Sequence, residues 1–186
     1  MTYANGNPGV ALRVNSIGVV PATAGALAIV SALFNLWGEQ AVLTAWFDGS
    51  PHIDRSLAVF SAFGGVLLAV TLIMGAVQIF RRDETGRFMV ILASGLLVAI
   101  GVVALIGALT SYQPDYGIDW MPREGGVADA LTGAFGGLVG TLTALVHRDW
   151  LGSVTGMIFP ALTLVLALAP STARWVAPRP SETLYL

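Results

Sequence analysis

The chain has 186 residues, 55% hydrophobic and only 11% charged, with a mean hydropathy of +0.77 and a net charge of −2. A water-soluble domain carries roughly a quarter of its residues as charges, so this surface cannot be solvated by water alone, and the apolar content is too high for a disordered chain. The class that remains is an all-α integral membrane protein.

Other counts exclude whole chemistries. With no cysteine there is no disulfide, iron–sulfur cluster, thiolate metal site or covalently attached c-type haem. The two histidines, His52 and His147, both lie outside the centres of the apolar runs, which argues against a bis-histidine haem. Every basic residue is arginine. The slightly negative charge argues against a nucleic-acid partner, which calls for a basic face.

Four uncharged runs are long enough for the roughly 20 apolar residues that a spanning helix needs, with apolar cores at 17–37, 57–80, 88–111 and 154–170. Unpaired backbone in hydrocarbon is prohibitive, so these runs must be helical. Trp37 closes the first, and Trp150 and Trp175 bracket the fourth, as interfacial aromatics do. Pro160 is expected to kink that last span. The first run follows a single arginine, Arg13, and lacks a small-residue cleavage site, so it reads as an uncleaved anchor.

After the first run, residues 38–56 contain a half-apolar piece, Ala41 to Phe47, expected to lie along the headgroups, and then the turn signal Asp48-Gly49-Ser50-Pro51. The link between the second and third runs holds Arg81, Arg82 and Arg87, so it is expected on the cytoplasmic side with its arginines among lipid headgroups. The N-terminus then also lies inside. Six arginines fall on that side and three on the other (Arg55, Arg123, Arg148), while eight acids, Glu39 among them, fall outside. The two faces carry −5 outside and +3 inside, together the observed −2.

Residues 112–125 are aromatic and acidic, and Tyr116 and Trp120 are candidates for contact with a partner. The segment 126–147 is harder to assign. Its larger residues fall on one helical face and Gly133, Gly136, Gly137 and Gly140 on the other, a pattern unfavourable for a solvated helix but suited to close packing in a membrane. Two readings stay open: a fifth span, or a re-entrant or interfacial helix beside four spans. Arginine placement favours the second. The whole chain reads as one membrane domain.

Small residues recur at four-residue spacing, notably Ser61, Gly65 and Ala69, and Gly133, Gly137 and Gly140 repeat the theme. They are either packing contacts within the bundle or a docking stripe for a partner. Mid-span ionisable residues are absent on this reading, and with them the usual means of proton coupling or intramembrane catalysis. Asn35 and Gln78 are the notable amides, expected to cap or bridge helices. His52, Asp54, Asp115, Asp119, Glu124, His147 and Asp149 are acceptable metal-ligand types but lack a ligating spacing, and no catalytic or cofactor fingerprint is present. No cofactor is expected.

The stretch Leu162 to Trp175, together with the Arg-rich link into Gly86-Arg87-Phe88, resembles small actinobacterial (mycobacterial-type) four-helix inner-membrane proteins of uncharacterised or accessory-subunit type. The resemblance covers those two segments, and the Gly-rich 126–147 insert departs from it. It implies an inner membrane and a cytoplasmic C-terminus. Some such proteins are accessory subunits of Mce-type lipid importers or cytochrome supercomplexes, an implication by analogy. The expectation is a non-catalytic accessory subunit contacting a larger integral membrane complex and membrane phospholipids. The alternative is a self-contained transporter or channel for a small neutral or apolar solute.

Overall fold

The structure is a computed structural model that describes residues 8–49, 54–110, 120 and 126–177. Among them are seven helices and no strand. They are α1 (Pro8–Phe47), α2 (Arg55–Phe80), α3 (Glu84–Leu109), α4 (Val127–Phe135), α5 (Gly137–His147), α6 (Trp150–Leu168) and α7 (Pro170–Val176). Four segments are long and apolar enough to cross a membrane: Gly18–Phe47, Arg55–Phe80, Glu84–Leu109 and Trp150–Leu168.

Three of these helices begin at an aspartate whose side chain accepts orphan N–H groups of the first turn: Asp54 for α2, Asp83 for α3 and Asp149 for α6. At Asp54 the Ser56 hydroxyl, with the Leu57 and Ser56 N–H groups, holds the carboxyl below the usual range. At Asp83 the Thr85 N–H and hydroxyl do the same.

The bundle is packed with its small side chains inside and many large ones outside. Ala24, Ala28, Ala32 and Ala76 are fully buried, whereas Phe63, Leu67 and Phe88 are exposed. That arrangement suits lipid, where apolar side chains lose nothing by facing outward and helices gain by close backbone approach. Pro160 lies within α6, which continues without interruption to Leu168.

Two sequence expectations change. The piece 41–47 does not leave the first helix to run along the headgroups; it forms the last turns of α1. The apparent stop, Gly38, is a packing site: a Cβ there would lie 2.2 Å from the Gly136 carbonyl oxygen. The chain turns only at Asp48-Gly49, where Gly49 has φ +69°. In addition, 126–147 is not one helix. Gly137 adopts φ +54°, open to glycine and costly for other residues, and the chain folds back so that Gly140 packs on Thr132 and Gly133. The resulting helices have 9 and 11 residues, each too short to cross a bilayer.

The two ends of the bundle are tied differently. At one, Arg148 donates to the Thr110 carbonyl at the close of α3 (3.0 Å). At the other, Trp175 of α7 donates to the Ile79 carbonyl (3.3 Å) and carries the Arg82 guanidinium 3.9 Å above its ring, while Arg87 donates to the Ala167 carbonyl (2.9 Å).

A candidate polar site inside the bundle

The extension of α1 has a chemical consequence. Ser31, Asn35 and Glu39 follow one another at four-residue spacing, so they stack on one face of the helix, and all three are buried. Asn35 is satisfied on both sides: its amide donates to the Ser31 carbonyl (2.8 Å), and its Oδ1 accepts the Leu138 N–H at the start of α5 (3.0 Å). It thus caps a helix 103 residues away in sequence, and Gly137 gives it room, since a Cβ there would stand 2.7 Å from Asn35 atoms.

Glu39 is different. It is 3% exposed, and both carboxyl oxygens are buried with no hydrogen-bond partner. The carboxyl rests on Gly65 of α2, where a Cβ would meet Oε1 at 1.8 Å, so only glycine leaves space for it. Gly65 stands ten residues in from Arg55, about 15 Å along the axis at 1.5 Å per residue. The acid is therefore well inside the bundle, and its place in the outer charge count and the picture of spans without an ionisable group are both corrected. Sequence reading missed it because Trp37 and Gly38 resembled a helix end; the continuing Ser31–Asn35–Glu39 spacing was the available signal.

The residues singled out from the sequence gather around this region but mostly face inward. Ser61, Gly65 and Ala69 are buried along α2, and Gly65 is the seat of Glu39. Gly133 packs on the Gly152 carbonyl of α6, Gly137 on Asn35, and Gly140 on α4. Trp120 is buried against Val42, Ala45, Ala58 and Val139 and donates its indole N–H to the Thr143 hydroxyl (2.8 Å). These side chains and glycines make packing contacts inside the fold, the first of the two roles their spacing allows. Tyr116 lies outside the described residues. Arg81 is exposed, whereas Arg82 and Arg87 engage Trp175 and the Ala167 carbonyl, so part of their charge serves packing at that end.

A narrow cleft of about 20 Å³ lies between the arms of α4 and α5, lined by Asp129, Thr132, Gly140, Thr143, His147 and Asp149. Among the described residues no three His, Asp or Glu side chains are grouped to hold a metal ion. His52, Asp115, Asp119 and Glu124 lie outside the described residues.

Fold and site together define the class: an all-helical chain with four helices able to cross a membrane, a two-armed helical insert and one carboxyl sealed among them. No family model, curated protein or solved structure matches it.

Proposed function

We propose that the chain is a non-catalytic accessory subunit of a larger complex in a bacterial inner membrane, with lipid transport as the first candidate process and respiration the second. In this reading the N-terminus is cytoplasmic, Arg81, Arg82 and Arg87 mark the inner face, and α4–α5 is a re-entrant hairpin entering from the outer side. Its tip, Gly136–Gly137, is held by Gly38 and Asn35 of α1.

The observation that carries the static role is the set of backbone seams. Gly38 meets the Gly136 carbonyl and Gly133 meets the Gly152 carbonyl, each with no room for a Cβ. Contacts of this kind fix helix positions closely and suit a part that braces a neighbour. The surface left to lipid or to a partner is then the outward apolar face, not the buried small-residue stripes. Purification of the tagged protein in mild detergent, with identification of what travels with it, is the test. Co-purification of a defined membrane complex is the expected result; recovery as a lone monomer or homo-oligomer overturns the reading.

One observation favours the second reading, a self-contained carrier of a small solute: Glu39, because an ionisable group inside a membrane bundle usually marks a transport or coupling site. That reading requires solute flux in liposomes containing this protein alone, and fails if none occurs.

A further inference from the structure

Among the described residues several buried polar atoms lack a partner, including Ser31 Oγ, Ser61 Oγ, Ser94 Oγ and Gln78 Oε1, and the Glu39 carboxyl is the one acid among them, with both oxygens bare. A buried polar group without a partner is costly, and a bare buried charge far more so. Among the described residues no hydrogen bond reaches either oxygen. The ionisable side chains on the elements packed against α1 are Arg55 on α2, Asp129 on α4, His147 on α5 and Arg174 on α7, and α6 has none. Arg55 stands at the start of α2, ten residues from the Gly65 seat, and His147 at the end of α5, ten residues from its tip.

The seat itself is shaped for a carboxyl. Gly65 gives up its side-chain volume to Oε1, and Asn35, one turn away on the same face, is already committed to Ser31 and Leu138.

We propose that Glu39 is an exchangeable binding site for one monovalent cation, a proton or a sodium ion, held between α1 and α2 on the Gly65 seat. The cation completes the carboxyl while the bundle is closed, and its release leaves a charge that the closed packing does not accommodate. Cation occupancy is thereby coupled to the contact between α1 and α2. This site stands independently of the partner reading, which concerns the outer surface.

The test is pH-difference infrared spectroscopy of the full-length protein in liposomes, beside Glu39→Gln and Gly65→Ala. The expected result is a carboxylic-acid C=O band that gives way to a carboxylate band as pH rises and is missing in Glu39→Gln. Gly65→Ala keeps the acid but crowds it, so the band persists and moves; this arm remains informative if Glu39→Gln fails to fold. Sodium chloride in place of choline chloride shifts the change to lower pH if the cation is sodium, and leaves it in place if the cation is the proton alone. Two results overturn the site: a spectrum in which neither pH nor sodium alters any band that Glu39→Gln removes, or a titrating band unmoved by Gly65→Ala.

Discussion

Asn35→Ala tests the least expected contact in the fold. The substitution removes the Oδ1 that accepts the Leu138 N–H, a buried bond joining α1 to the tip of α5. Leaving a buried backbone donor unpaired costs about 1–3 kcal/mol. The second bond, from the Asn35 amide to the Ser31 carbonyl, lies within one helix, where that oxygen keeps its backbone partner, so its loss adds little. At 1.4 kcal/mol per decade, the opening equilibrium of the α4–α5 arm should rise roughly 5- to 150-fold. Hydrogen exchange in detergent micelles reads this directly: protection should fall at residues 137–140 and hold in the middle of α2 and α3, whose contacts are untouched. Gly137→Ala should loosen the same arm by a different route. It forces a Cβ into φ +54°, at a cost of about 1–2 kcal/mol, and crowds Asn35 at 2.7 Å. Uniform loss of protection across all helices, or a change within about 0.5 kcal/mol as for a surface substitution, would refute the idea that Asn35 specifically holds this arm.

Three further outcomes follow from the packing. Gly86→Ala places a Cβ 2.4 Å from the Gln78 Cβ and 2.6 Å from the Gly75 carbonyl oxygen. It should lower stability in unfolding titrations by about 1–3 kcal/mol, the usual cost of overpacking, whereas Gly95→Ala enters open space and should be neutral or stabilising by up to about 1 kcal/mol. Trp120→Phe leaves a smaller ring and loses the bond to Thr143; the part of its cost that belongs to that bond, about 1 kcal/mol, should appear as the coupling energy with Thr143→Val in a double-mutant cycle, while the cost of the lost volume remains in either background. The caps at Asp54 and Asp83 both have lowered pKa values, so their contribution is present above the ordinary carboxylate pKa and is lost as pH falls through the folded value. Exchange protection at Ser56, Leu57 and Thr85, corrected for intrinsic rate, should therefore drop in acid, and Asp54→Asn should weaken the dependence at the first two positions only.

The four long helices were legible because membrane solvation imposes a coarse rule: backbone polar groups must pair within the segment, and a run of apolar residues of sufficient length has no other structure open to it. The starts of α2, α3 and α6 were also within reach, since an aspartate precedes each apolar run. The break at 136–137 was harder. Four glycines between Gly133 and Gly140 are as compatible with a tightly packed straight helix as with a reversal. The choice rests on Gly137 meeting Asn35 and Gly133 meeting Gly152, contacts between segments far apart in the chain. The stripes of small residues showed which surfaces pack closely, and by themselves they carry no information on whether the neighbour belongs to the same chain.

Glu39 shows the corresponding limit for the site. Charge reads as a boundary in a hydropathy pass, so an acid beside Trp37 and Gly38 marks an apparent helix end, and the residues beyond it become a loop. The structure reverses the order of cause. Gly38 is small because the Gly136 carbonyl lies against it, and Gly65 is small because the Glu39 carboxyl does. Gly65 admits a carboxyl between α1 and α2, while Gly38 seats the tip of the α4–α5 insert, which Asn35 also holds a turn away. A bundle that only needed close packing would gain more from an alanine at position 39, which would remove an unpartnered acid without disturbing Gly38. A glycine seat shaped around one unpartnered acid therefore weighs toward a use for its charge, and the response of its infrared band to pH and sodium is the measurement that decides it.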